Sequence, residues 1–308
     1  MQSARYNKFS LHLRELFGQR IQKLPLSAGF NCPNRDGTLS RSGCIYCGEK
    51  GAASPLLDNL PDLHKQYERG KAIFARKYPR CKYIAYFQAY TNTYAPPDKL
   101  KKLYDMVLSW DRQDLVGLAI GTRPDCLPDT TLDLLESYAR DYYFWLELGL
   151  QSCHDRTLKL INRGHNIAQF KDALIRARTK NLRICAHIIL GLPGECAEDM
   201  LKTAEFLNQQ GVNAVKIHGL YILKNTALAR MYTNGEYAPL SFESYVPLVC
   251  DFLEVLSPSI IIQRLTADPP VEGLLAPKWM LNKRQIIGAI EQELIRRNSR
   301  QGAKFKHT

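Results

Sequence analysis

The sequence predicts an α/β fold, a partial (β/α)6 barrel of six strand–helix units around a parallel sheet. From residue 20 to about residue 265, apolar runs of strand length alternate with longer segments of helical periodicity. Each strand-length run ends in a loop rich in polar and turn residues, among them FNCPNRDGTLSRSGCIYC, QAYTNTYAPP and GLPGE. Within that span no low-complexity tract, longer repeat or linker breaks the pattern.

Residues 1–19 form a short N-terminal helical segment, and strands are expected at 21–26, 83–88, 116–122, 144–150, 184–190 and 214–218. Helices are expected between and after them at 59–78, 98–109, 129–140, 167–180, 197–210 and 241–256, where apolar residues recur at three to four spacing. A last strand at 260–265 closes a barrel region of 20–266. A C-terminal extension, 267–308, follows, with a Pro-rich stretch, a helix at 283–297 and a basic tail expected to be frayed. In a barrel of this kind the chemistry belongs to the loops after the strands' C-terminal ends.

A chain of 308 residues with 45% hydrophobic content can bury a large core, so disorder is not the default. Its formal charge of +12 makes a polyanion such as nucleic acid a reasonable partner. The nine cysteines lack the dense, even framework of a small secreted domain. No stretch approaches the ~18 apolar residues of a membrane span. Together these features predict a cytoplasmic protein with no membrane partner.

Cys32, Cys44 and Cys47 stand as C-x11-C-x2-C in one loop after the first strand. Soft thiolates select zinc or an iron–sulfur cluster, and the three cysteines by themselves fit both. A structural zinc site wants a fourth ligand, and the nearest histidine, His64, falls inside a helical segment. Three ligands to a four-iron cluster would leave one iron open to a small molecule.

With those cysteines, FQAYTNT at 87–93, ELGLQS at 147–152, NRGH at 162–165 and HIILGLPGE at 187–195, the chain resembles the radical S-adenosylmethionine (SAM) superfamily. Within it the stand-alone bacterial elongator-like branch is most similar, and the resemblance covers most of the chain. The superfamily's usual first motif is C-x3-C-x2-C; the longer gap here is shared by the elongator-like branch. The resemblance implies one [4Fe-4S] cluster on Cys32, Cys44 and Cys47. It also implies a bound SAM cleaved to a 5′-deoxyadenosyl radical. Tyr46 matches the aromatic beside the adenine, Gln151 the ribose contact and Arg163 the partner of the methionine carboxylate, for which a planar guanidinium is suited. Gln88 and Thr91 stand in the motif that receives the methionine amino group, here without its usual glycines. His187 matches a ribose-contact position, and Leu192 lies in the Gly-Leu-Pro-Gly turn beside the adenine. His165 reads equally well as a packing residue.

Toward a substrate the same strand ends offer Arg123, Asp125, Glu147, Lys216, His218, Tyr221 and Lys224. Arg123 and Asp125 also suit a simple pair with each other. Cys126, Cys153 and Cys196 each follow a strand end on the active face. Members of the bacterial family are implicated in converting the carboxymethylaminomethyl group of tRNA wobble uridine to aminomethyl, so the resemblance implies tRNA as partner. A reductant such as flavodoxin or ferredoxin is implied as well. Radical chemistry on a small molecule or peptide, and a non-catalytic metal and nucleic-acid binding protein, are the competing readings.

Overall fold

The computed structural model describes residues 4–49, 51, 60 and 62–306. Along the chain, helix α1 (Phe9–Phe17) precedes β1 (Ile21–Leu26), and α2 (Leu63–Lys77) leads to β2 (Lys82–Phe87). Then follow α3 (Pro97–Ser109), β3 (Leu115–Thr122), α4 (Asp129–Asp141) and β4 (Tyr143–Gln151). Two helices, α5 (Asp155–Leu160) and α6 (Ile167–Thr179), separate β4 from β5 (Ile184–Leu190). Next come α7 (Ala197–Gln210), β6 (Ala214–Gly219), the short β7 (Ile222–Leu223), α8 (Ala227–Thr233) and α9 (Phe242–Val255). The chain finishes with β8 (Ile261–Arg264), β9 (Leu274–Ala276) and α10 (Lys283–Arg296).

Seven of these strands form one parallel sheet in the order β1-β2-β3-β4-β5-β6-β8, curled into a half-barrel. The six expected strands and the last one are all present, within a residue or two of the expected ends. The expected start of the first helix, residue 59, lies outside the described residues. The sequence reading did not anticipate α5, α8 or the antiparallel pair β7·β9, each too short to show a period.

Strand side chains alternate between the two faces, and here the alternation sorts them by chemistry. Outward-facing Leu24, Phe87, Ile120, Phe144, Leu146, Ile188 and Ile217 pack with Tyr104, Leu135, Leu174, Leu207 and Leu253 of the surrounding helices in one large core. Inward-facing Ile21, Ile84, Ala119, Trp145, Cys185 and Ala214 form a second, smaller core at the N-terminal ends of the strands. Helix α1 plugs that end: Leu13 belongs to this core, and the Phe9 ring meets the Trp145 ring edge-on at 5.7 Å. The bottom of the half-barrel is thereby sealed with apolar side chains, so polar inward residues further along each strand face a cavity closed from below.

From Arg297 to Lys304 the C-terminal tail is held against the fold, contrary to its composition. Gln301, 5% exposed, donates to the carbonyls of Ser257 and Ile260 at 2.7 and 2.8 Å and accepts from the Asn7 amide at 2.9 Å. Arg297 binds Asp251 and Glu293, and Lys304 binds Glu254. Acidic residues on α9 and α10 thus pair with part of the basic charge that suggested a solvated arm. Gln301→Ala leaves two carbonyls and an amide unpaired and is expected to destabilise the fold by about 2 kcal/mol in urea unfolding. An unchanged midpoint would mean that the tail is free in solution.

Candidate active site

The cysteine loop is long, but the backbone fixes it at both ends. Cys32 accepts from Arg35 N at 2.8 Å, Gly43 N donates to Asn34 O at 2.8 Å, and the Asn162 side chain donates to Gly43 O at 2.7 Å. Ile45 N donates to Ile161 O at 3.1 Å, so the turn after α5 holds the loop over the strand ends. Cys32, Cys44 and Cys47 line one cavity of about 140 Å³ there, with Tyr46, Gln88, Thr91, Arg123, Glu147, Gln151, Arg163 and His187.

Three side-chain donors face the thiols. Arg35 reaches the Cys47 sulfur at 3.4 Å, while Asn34 and Arg163 reach the Cys44 sulfur at 3.6 and 3.7 Å. Guanidinium groups in such positions favour anionic sulfur, the form that ligates metal. Burial and the neighbouring Cys44 nonetheless push the Cys47 thiol up to about 11. A bound cation would supply the charge that takes the proton off. Among the described residues no three His, Cys, Asp or Glu side chains gather closely enough to share one metal ion.

On the β4 side the site depends on one glycine and one strained residue. A β-carbon on Gly149 would lie 2.4 Å from Arg163 Nη2 and 2.6 Å from Gln151 Nε2, so only glycine lets both side chains converge. Arg163 Nη2 donates to Gly149 O at 2.9 Å. Gln151 ends β4 at φ 76°, beside a register shift between β4 and β5, and that bulge turns its side chain into the cavity. Arg163 Nε, Thr91 Oγ1 and Asn34 Oδ1 are buried in the wall with no hydrogen-bond partner. Buried polar atoms are ordinarily paired, so these three fit a polar ligand such as the amino acid end of SAM.

Arg123 and Asp125 do pair with each other, through Nε at 2.9 Å and Nη2 at 2.7 Å. Arg123 Nη1 also donates to Arg163 O at 2.7 Å, which fixes the backbone that carries Arg163. Leu192 is buried in an apolar cluster with Leu158, Ile161 and Leu220, against which Tyr46 packs. Lys216 and His187 both donate to Glu147, and the His218 ring lies 5.4 Å from the His187 ring. Tyr221 is half-buried and Lys224 is exposed, and neither lines the cavity. Cys126, Cys153 and Cys196 also lie off it: Cys126 is buried, Cys153 meets His154 at 3.5 Å, and exposed Cys196 sits at the start of α7. Sequence reasoning missed Asn34 and Arg35, whose signal was their place inside the cysteine gap, and Lys23, which reads as an ordinary strand residue.

The Radical SAM superfamily model matches residues 31–207, and the Radical SAM C-terminal domain model matches 212–296. The chain belongs to the radical SAM superfamily. That family uses a [4Fe-4S] cluster and SAM. Protein YtqA of Bacillus subtilis is 42% identical over 98% of this chain and 93% of its own length. A tRNA uridine(34) acetyltransferase of Dehalococcoides mccartyi is 26% identical over 50% of this chain and 34% of its own. The archaeal Methanocaldococcus infernus Elp3 structure superposes with a TM-score of 0.68 at 16% identity, over 91% of this chain and 64% of that one. Among the described residues no helix is long and apolar enough to cross a membrane.

Next to the radical SAM cavity, His165 is 5% exposed and its Nε2 donates to Gly149 O at 2.9 Å. Burial, then the Arg163 and Arg123 guanidiniums, push its pKa down to about 2, so the ring stays neutral. The unfolded chain binds a proton at this residue below pH ~6.5 while the folded chain does not, so stability is full above that value and falls as pH drops. Between pH 7.5 and 5 this histidine is expected to account for about 2 kcal/mol of lost stability. His165→Gln should therefore show a shallower loss than wild type in urea unfolding across that range. Parallel curves would show that the ring is protonated in the folded protein.

Proposed function

We propose that this radical SAM enzyme acts on tRNA, converting the 5-carboxymethylaminomethyl group of the wobble uridine to aminomethyl. The observation that carries the reading is that the cofactor cavity adjoins a cationic opening between β1 and β8. Gln88 lines both, and Lys8, Arg20, Lys23, Lys216, Arg264 and Lys283 line the opening. A tRNA brings a dense negative charge to such a surface. The chain's formal charge of +12 supports the same reading, as does the likeness to the Dehalococcoides mccartyi tRNA uridine(34) acetyltransferase.

Cys32, Cys44 and Cys47 hold the cluster in this reading, and Arg35 and Asn34 tune it by donating to the sulfurs. Arg163 takes the carboxylate of SAM, with Thr91 and Gln88 toward its amino group and Gln151 and His187 toward the ribose. Tyr46 and Leu192 form the apolar side that receives the adenine. Cluster and SAM together supply, on one-electron reduction by a flavodoxin or ferredoxin, a carbon radical able to remove hydrogen from an unactivated carbon. The chain's own task is to exclude water and hold the substrate carbon within reach, which the sealed lower end of the half-barrel favours.

The test compares two tRNA pools with the reconstituted, reduced protein. Consumption of SAM is expected to be faster with tRNA bearing carboxymethylaminomethyluridine than with unmodified tRNA, and nucleoside digests should show aminomethyluridine. Equal cleavage with both pools and no nucleoside change would defeat the tRNA assignment.

A further inference from the structure

In the middle of the half-barrel, one level above the apolar plug, lysines outnumber the carboxylate they share. Lys23 on β1 and Lys216 on β6 both donate to Glu147 on β4, which is fully buried. Lys216 is 4% exposed, and its Nζ lies 4.0 Å from the centre of the Tyr86 ring. The His187 ring adds a third donor to the same carboxylate at 2.7 Å. With both lysines protonated, two ammonium groups against one carboxylate leave one positive charge. Arg264, at the edge of the same opening, is spoken for by Asp268 at 2.8 Å, and Asp268 also takes the partly exposed Lys283 at 2.9 Å. Burying unbalanced charge in a wall of low dielectric is costly.

Polar capacity is unused as well. Gln263 Nε2, His218 Nε2 and Arg20 Nε are buried without a partner, and Gln263 and Arg20 line the same opening of about 530 Å³ as the two lysines. Gln263 is placed by Lys23, whose Nζ donates to Gln263 Oε1 at 2.6 Å. The amide end with free hydrogens therefore stands beside the ammonium groups.

We propose that Lys23 and Lys216, with Gln263 beside them, form a receptor for a carboxylate carried by the substrate. A carboxylate is a compact, planar monoanion that matches the single surplus charge of the lysine pair. It accepts hydrogen bonds from several donors at once, which an ammonium–amide cluster supplies. Because Glu147 and Gln88 belong also to the cofactor cavity, a carboxylate seated on the lysines sits next to the reacting end of the site. The receptor thereby selects substrates with a carboxylate close to the carbon that loses hydrogen. This inference rests on the reading of the enzyme as a radical SAM tRNA modifier only for the identity of the carboxylate's owner.

Sodium acetate and its neutral isostere acetamide test the receptor without any tRNA. In the reconstituted protein with SAM, at constant ionic strength, acetate at about ten times its Kd should raise Tm by about 2 to 4 °C and acetamide should not. In Lys216→Met and in Lys23→Met the acetate shift should be lost. Either variant suffices if the other does not fold, since Glu147 keeps the remaining lysine and His187 as donors. Equal shifts with acetate and acetamide, or an undiminished acetate shift in a folded variant, overturn the proposal. A second arm offers tRNA carrying the carboxymethylaminomethyl group or its methyl ester, with SAM cleavage as readout. Cleavage stimulated at least tenfold more by the free acid supports the receptor. An acetate shift that meets these expectations while neither tRNA stimulates cleavage supports the receptor and counts against the wobble-uridine reading alone.

Discussion

Glu147 receives Lys23 from β1, His187 from β5 and Lys216 from β6, and this convergence fixes where the half-barrel changes from packed core to reactive cavity. Burial opposes its ionisation, but Lys216, Lys23 and His187 outweigh that and hold the carboxyl well below the usual carboxylate range. Lys216 is drawn down toward about 7 by burial, with the Lys23 charge adding to this against the pull of Glu147. Burial likewise takes His187 to about 4, so its ring is a neutral donor. Below this layer the inward side chains are mostly apolar, and above it polar side chains line the cavity. Removing the carboxylate would strand two ammonium groups in a desolvated wall, a loss of the order of 3 to 5 kcal/mol for a broken buried pair.

The upper layer is organised by backbone rather than by charge. Gly149 leaves room for Arg163 and Gln151, and its carbonyl accepts from both Arg163 and His165. Arg123 holds the Arg163 carbonyl from the other side, and Asn162 ties the same turn to the cysteine loop. The thiols and the guanidinium therefore share one rigid support. A pocket prepared in this way loses little entropy when its ligands arrive.

Much of this was legible in the sequence because the half-barrel depends on strong local periods. The runs 21–26 and 184–190 match β1 and β5 to the residue, since their apolar stretches are bounded by turn residues. Seven of the cavity-lining site residues, Cys32, Cys44, Tyr46, Cys47, Gln88, Thr91 and Arg123, follow a strand end or lie in the cysteine loop, where polar residues interrupt the pattern. Lys23 was not legible: it sits in an ordinary amphipathic strand, and its partner Glu147 is 124 positions away. The pairing of Arg123 with Asp125 was visible as an option because the two are two residues apart, but its hold on Arg163 was not. The docked tail was misread for a similar reason. Its basic residues suggest solvation, whereas Asp251 and Glu254, which pair with Arg297 and Lys304, stand on a mostly apolar helix.

The central claim is that three thiols and a prepared polar wall make one cavity for a cluster and SAM together. The most direct measurement is electron paramagnetic resonance of the anaerobically reconstituted, reduced protein, with and without SAM. The account predicts a four-iron cluster signal that shifts when SAM is added, because the three thiols that would hold the cluster and the Arg163 guanidinium line one cavity. A signal that ignores saturating SAM, or a stoichiometric zinc in place of iron on Cys32, Cys44 and Cys47, would contradict it.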